Sequence, residues 1–366
     1  MPPTFRADAG AVHRSRNVTR ALLALLALLA TLPVATLDAQ ARTRESKRES
    51  TRRSERSRTR SSSDGPATAR IDTTVALAAR GEVELSLHQG VVVVGAWERS
   101  EVRIRATVEE NGNLDFSATP SRVVLDMART RGHAEARYEV TLPRDARLSI
   151  SGTSVEVEVR GAKGGIDIEN TSGDVTLADV GGTVTVTNMS GSLSIAGAGG
   201  DVRVQVQSGD IRLGDVEGRI EVDGVSGNIE IVGSRARELR VETTSGNVTY
   251  DGTVSGDGRY LIATHSGNVY LHLPTGTRAR LDVESYNGEF ESDFPVAMLT
   301  SGLRSGQQRF DLLVGADAGA GTSAGTSAGT GPTFRVTSYS GDIHLGRALS
   351  RGREASGSTP TPKEKP

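Results

Sequence analysis

Eight times the chain sets a polar side chain directly after a small-residue pair, and that column is the first place to look for chemistry. Its members are Asp174, Ser192, Asp210, Asn228, Asn247, Asn268, Glu289 and Asp342. Carboxylates on successive turns hold calcium in β-rolls, because a hard cation wants several convergent oxygens. A β-roll repeats every nine residues with two glycines before its Asp, and half of this column is neutral. A turn position explains it better, since Asp and Asn accept local backbone hydrogen bonds and tolerate left-handed geometry. The serines Ser172, Ser190, Ser208, Ser226, Ser245, Ser266 and Ser340 form a second column. A nucleophile needs one serine singled out by a nearby base, and nothing separates these seven. His88, His133, His265, His272 and His344 show no HExxH or other ligand spacing. Polysaccharide cleavage needs two carboxyls about 5–10 Å apart, or a metal with a basic residue. Asp201, Arg219, Glu238, Arg259 and Arg280 occupy corresponding outward positions, and their alternating signs predict a surface ion ladder instead. No catalytic, cofactor or metal residue is assigned.

The columns come from a repeated phrase: Ser-Gly, a polar residue, then two aliphatics spaced by one. It reads SGDVTL at Ser172, SGSLSI at Ser190, SGDIRL at Ser208, SGNIEI at Ser226, SGNVTY at Ser245 and SGNVYL at Ser266. NGEFES at Asn287 and SGDIHL at Ser340 complete it, and a looser copy, SGTSVEVEV, opens it at Ser151. The starts up to Asn287 are 21, 18, 18, 18, 19, 21 and 21 residues apart. The glycines Gly173, Gly191, Gly209, Gly227, Gly246, Gly267, Gly288 and Gly341 are structural turn residues. In the copy from Ser208, Ile211, Leu213, Val216, Ile220 and Val222 are expected inside, and Val225 closes the coil. In the copies before it the expected inward residues are Val175, Leu177, Val180, Val184, Val186 and Met189, then Leu193, Ile195, Ala198, Val202 and Val204.

One repeat cannot stand alone. Burying an aliphatic contributes roughly 1.5–3 kcal/mol, and ordering each residue costs on the order of 1–2 kcal/mol. Stacking copies in register gives each strand a hydrogen-bonding partner and merges the aliphatics into columns. The prediction is all-β: a parallel β-solenoid of seven to eight short coils, preceded by an irregular β capping segment. A row of antiparallel hairpins is the competing arrangement, and the fixed period argues against it.

Of the 366 residues, 43 are Gly and none is Cys, with 4% aromatic side chains. That composition suits a thin, turn-rich β structure and excludes a disulfide framework. Arg14, Arg16 and Arg20, the apolar run 21–32 and Ala39-Gln40-Ala41 read as a cleavable export signal. The run is shorter than the ~20 residues of a spanning helix, so no integral span is expected in the mature chain. Residues 42–60 carry nine basic and three acidic side chains, a disordered basic block. The first 41 residues hold four arginines and two aspartates. Without these segments, residues 61–366 keep 30 basic and 40 acidic groups, a net of −10, which disfavours nucleic acid as a partner.

In order, 1–41 is the signal peptide, 42–70 the basic linker and 71–150 the capping segment. Val83, Leu85, Leu87, Val102, Ile104 and Ala106 alternate there, the aliphatic run 91–94 and stretches 123–127 and 138–142 read as strands, and Asn111-Gly112 marks a hairpin. Residues 151–346 are the repeats. A Gly/Ala/Ser/Thr run over 315–331 is a flexible insertion inside the last coil, and 347–366 is a polar tail.

Three segments carry a resemblance: GVVVVGAWERSEVRIRA over 90–106, YEVTLPRDARLSI over 138–150, and the SGDV-type repeats. With them the chain resembles the bacterial putative-adhesin family of β-strand-repeat proteins, a domain family of unknown function similar to auto-transporter adhesin head domains. The resemblance spans roughly 71–345. It implies a solenoid-like fold and a cell-envelope location, and it supplies no catalytic residues. The expected function is that of an exported, non-enzymatic scaffold or adhesin, in the periplasm, on the outer surface or secreted. Its expected partner is a cell-envelope glycan or surface protein. Arg203, Gln205, Arg219, Glu221, Arg240, Glu242, Arg280 and Asp282 form the candidate binding face. A polysaccharide lyase or hydrolase is the alternative, on fold analogy alone.

Overall fold

The structure is a computed structural model, and it describes residues 69–108, 113–128, 135–304, 307–315 and 331–348. The signal peptide, the basic block, Asn111-Gly112, His133, most of the Gly/Ala/Ser/Thr run and residues 349–366 lie outside the described residues. All described elements are strands. The opening region holds β1 (Ala69–Ala76), β2 (Glu82–Trp97), β3 (Glu101–Val108), β4 (Asn113–Ala118), β5 (Arg122–Ala128) and β6 (Ala136–Pro143). The repeats supply β7 (Arg147–Arg160), β8 (Ile166–Ser172), β9 (Val175–Val180), β10 (Val184–Ser190), β11 (Leu193–Ala198), β12 (Val202–Ser208), β13 (Ile211–Ser226) and β14 (Ile229–Ser245). Next come β15 (Val248–Gly252), β16 (Arg259–Ser266), β17 (Val269–Leu273), β18 (Ala279–Asn287), β19 (Phe290–Ser292), β20 (Val296–Arg304), β21 (Gln307–Val314), β22 (Thr333–Ser340) and β23 (Ile343–Arg347).

Each repeat pairs in parallel with the next, residue for residue. Val184 meets Ile166 on one side and Val202 on the other, and Leu193 lies between Val175 and Ile211. Period-2 alternation then buries one side of every strand, including Ile211, Leu213, Val216, Ile220 and Val222. The extra residue in the 19-residue repeat is absorbed between Gly218 and Arg219, where the register shifts. The opening strands alternate as expected, with Val83, Leu85, Leu87, Val102, Ile104 and Ala106 buried. They mix parallel and antiparallel pairing.

Three sequence expectations are corrected. Met189 and Val225 are not inward; they stand 52% and 47% exposed. Strict alternation carries the inward position to Asn188 and Gly224, so the next residue must face out. The first corner is not Ser151-Gly152, because Ser154 aligns with Ser172, and Val155 occupies the glycine position beside Gly173. That alignment restores an 18-residue spacing. Finally, the last coil in sequence is not the last in space. β22 lies between β16 and β18, and β23 lies between β17 and β19.

The opposite end uses the same arrangement. β2 pairs with β5 and β6 on one edge and with β7 on the other, so the earliest coil lies inside a later one. Antiparallel strands then line the outer coils: β3 and β1 beyond β6, β4 beyond β5, β21 and β20 beyond β18. An uncovered parallel edge would offer a row of unpaired amides to any other strand.

The Ser-Gly corner is where coils come closest. Gly209 has φ +140°, and a Cβ there would sit 2.1 Å from the Gly191 carbonyl oxygen. Its N–H donates to the Ser226 carbonyl at 3.0 Å. Gly209→Ala should therefore cost about 2–4 kcal/mol, since both the dihedral and the space are refused. At Gly214 a Cβ would meet nothing closer than 3.8 Å, and the backbone there has no positive φ. Gly214→Ala should stay within about 0.5 kcal/mol. Denaturant melts of the two variants decide it, and equal losses would remove the corner argument.

Candidate functional site

The polar column after each Ser-Gly does its work between coils. The Asp174 Oδ1 accepts the Ser192 N–H at 2.8 Å, and Asp210 accepts from Asn228 at 2.8 Å. Asn228, Asn247, Asn268 and Asp342 continue the series toward Asn247, Asn268, Asp342 and Glu289, at 3.1, 2.9, 2.9 and 2.9 Å. The expected local turn bond is thus an inter-coil bond. One Oδ1 per residue goes to the neighbouring amide, whether the side chain is Asp or Asn, and this accounts for the mixed charge of the column.

A second polar column escapes a reading of the sequence. Two residues before six of the eight corners stand Asn170, Asn188, Thr243, Thr264, Ser338 and Ser285, all buried, while Val206 and Gly224 hold that position before Ser208 and Ser226. The Asn170 amide donates to the Val155 and Ser172 carbonyls at 2.8 Å, and Asn188 donates to Gly173 at 3.0 Å. The Ser338 and Ser285 hydroxyls donate to the Gly341 and Gly288 carbonyls at 3.1 and 3.3 Å. These asparagine and serine side chains satisfy corner carbonyls that the strand ladders leave over. The signal is the recurrence of Asn, Thr and Ser at an inward position, which an apolar-only search discards.

The candidate face divides at β16. Arg203, Glu221 and Arg240 form one outward row, and Gln205, Asp223 and Glu242 the next. Arg203 donates to Glu221 at 2.9 Å, Arg219 pairs with Glu238 at 2.9 Å, and Arg240 pairs with Glu242 at 2.6 Å. Continued across the sheet, the first row meets Leu261, Arg335 and Asp282, and the second meets Ala263, Thr337 and Glu284. Arg280 and Asp282 therefore do not adjoin Arg240 and Glu242; β16 and β22 lie between them. The ladder expected from Asp201 to Arg280 holds from Arg219 to Glu238, and Thr333 then separates Arg259 from Arg280.

The break in the ladder is a trough. The outward side chains along it, taken as its floor, are Leu261, Ala263 and Thr337, all half-buried, and of these Leu261 also lines the depression at one end. Arg240 and Glu238 stand on one side. On the other, Arg280 pairs with Asp311 at 2.5 Å, and Asp282 accepts from both Arg309 at 2.9 Å and Arg335 at 3.3 Å. The depression at the arginine end has a volume of about 610 Å³. Beneath it, Tyr260 and Phe334 stack at 4.4 Å between ring centres, and the Tyr260 hydroxyl donates to the Ala236 carbonyl at 2.9 Å. Burial raises the pKa of this phenol, which suits its role as a fixed donor. Asp311 at hydrogen-bond distance raises the Arg280 pKa, and Asp282 does the same for Arg309.

About 13 Å along the strands from Leu261, at four residues' rise, the same face carries three exposed rings. His265 stacks on Tyr339 at 4.7 Å, and Tyr339 meets Tyr286 at 5.2 Å. Past the corner, Tyr270 stacks on His344 at 5.1 Å, and His344 Nδ1 lies 3.1 Å from Glu291. These contacts exist because β22–β23 is interposed; sequence order would have stacked Tyr286 on His265.

Upstream of the trough, Asp223 has a raised pKa. Partial burial is the largest cause, followed by Glu221 and Glu242, against Arg240 and Gln205. A carboxyl whose folded pKa lies above its unfolded value is penalised when charged, so the penalty is present at neutral pH and is relieved as pH falls through the folded pKa. Asp223→Asn should raise the melting temperature at pH 7, and the gain should vanish in acid. A gain that grows on acidification would contradict this sign.

No curated protein matches the chain. Among solved structures, a putative adhesin from Bacteroides fragilis is 12% identical, with 76% of this chain and 98% of that chain covered and a TM-score of 0.38. A putative lipid binding protein from Parabacteroides distasonis is 9% identical, covering 75% and 96%, with a TM-score of 0.38. A putative cell adhesion protein from Clostridium sporogenes is 9% identical, covering 77% and 100%, with a TM-score of 0.24. The model of one domain family, Toastrack DUF4097, matches residues 94–346, most of the chain, and to that family the chain belongs.

Proposed function

We propose that this chain is an exported, non-enzymatic parallel β-solenoid that binds cell-envelope polymers on the outward face of its last three coils. One observation carries the reading: the ion-paired rows stop at β16 and leave a neutral floor between charged walls. Ladders of paired charges are already satisfied and contribute little to binding. A gap in them, with donors on both sides, is where an incoming chain finds unused hydrogen-bonding groups.

The carboxylates at this face argue for binding over cleavage. A glycosidase acid is kept protonated in an apolar pocket. Here Glu238, Asp282 and Asp311 each face a guanidinium. Export is proposed from the n-region, apolar run and cleavage site before Arg42, and an envelope or extracellular site of action follows from it.

The test is retention of the purified full chain on an insoluble cell-envelope polysaccharide fraction. Leu261→Glu should abolish most of the retention, because it puts a carboxylate on the floor between Arg240 and Arg335 and occupies their donors, while stability changes by no more than about 0.5 kcal/mol. Release of new reducing ends or unsaturated sugars from that fraction would contradict the non-enzymatic reading.

A further inference from the structure

The trough also specifies the kind of polymer. We infer that it takes an acidic oligosaccharide, with sugar carboxylates at Arg259 and Arg335 and the chain running over Ala263 and Thr337 toward Tyr339. This rests on the binding reading above and narrows it to a ligand class.

Charge is the first argument. Five arginines and three carboxylates line the arginine end, on a body whose net charge is −10. The carboxylates are already committed: Glu238 to Arg219, Asp311 to Arg280, and Asp282 to Arg309 and Arg335 together. Two guanidiniums thus share one carboxylate. Arg259 makes no ion pair within 4 Å among the described residues; its cross-strand neighbour Glu238 is paired with Arg219, and it helps to lower the pKa of the exposed Asp257 two positions earlier. Guanidinium donors left over at the mouth of a depression suit a planar carboxylate, which they can hold through two parallel hydrogen bonds.

Shape is the second. The floor side chains are a leucine, an alanine and a threonine, and exposed aromatic rings stand at its far end. A protein partner gains its affinity from large apolar anchors seated in pockets, and the floor offers one leucine. A phosphate polymer needs a continuous basic stripe, and here Glu242 and Glu284 interrupt the rows on both sides. A sugar chain with spaced carboxylates, hydroxyls for the Thr337 and Tyr339 hydroxyls, and apolar ring faces for Leu261 and Ala263 matches what is present.

Calorimetric titration of the full chain with tetragalacturonate, and with a neutral galactose tetramer, tests the assignment. The acidic tetramer should bind, more weakly as salt rises, and the neutral one at least about tenfold more weakly, a single ion-pair difference. Arg259→Ser with Arg335→Ser should weaken the acidic tetramer by about tenfold or more. Both side chains are exposed, and unchanged melting checks the fold. Arg212→Ser, which breaks the Arg212–Glu230 pair on another strand row, should bind like the parent. Equal binding of both tetramers, lost in Tyr339→Ala, would overturn the acidic class and leave the trough as a glycan site. Acidic binding that ignores the arginine pair, or no binding of either sugar, would overturn both. Tighter binding of a single-stranded oligonucleotide than of tetragalacturonate would replace the ligand class by a phosphate polymer.

Discussion

At the Ser-Gly corner, the carbonyl of one coil lies where the side chain of the next would begin. From Gly173 to Gly341 the distance to such a Cβ is 2.0–2.3 Å. No L side chain fits, so glycine is required and the coils lock at one spacing. The N–H of each of these glycines except Gly288, on the outermost coil, donates to the serine or asparagine carbonyl one coil on. The Asp/Asn column and the buried Asn/Thr/Ser column add side-chain bonds on either side of the same corner. Register is fixed there, and everything outward inherits it. Rows such as Arg203, Glu221, Arg240, Leu261, Arg335 and Asp282 are rows because the corner permits no slip.

Such a stack has two ends, and parallel strands leave open amides at both. Each end has the same solution. The coil that is outermost in sequence is tucked one place in, and a segment from nearer the middle of the chain forms the outer coil. Antiparallel strands then line that coil: β3, β1 and β4 at one end, β21 and β20 at the other. Interposing β22–β23 also writes the outward face. It brings Tyr339 against His265, places Thr337 beside Ala263, and separates the Arg280–Asp282 pair from Arg240 and Glu242.

Much of this is legible from the residues. The inward aliphatics of the regular coils, the parallel stacking period and the glycine corners all follow from local pattern. What fails does so for physical reasons. Val225 and Met189 read as inward because they are apolar, yet alternation gives that slot to Gly224 and Asn188. Ser151-Gly152 looks like a corner because the pair is the same, but pairing with β8 puts the corner at Ser154. The order of the last coils has no local signal, because residues 266, 287 and 340 all carry the same corner and any of them fits beside any other. The trough depends on that order, so the candidate face read from the sequence contains its walls, Arg240, Arg280 and Asp282, and omits its floor and its rings.

The functional reading rests on the same order. If β22–β23 were a loosely attached final coil, the neutral floor between charged walls would not exist. Hydrogen exchange of the full chain measures this directly, since amides in an internal rung open only with the stack while an edge strand frays. The β22 and β23 amides, last among the described strands, should exchange as slowly as those of β14 and β16, with β20 exchanging first. Exchange of β22 and β23 ahead of β18 would contradict the interposed coil and, with it, the site.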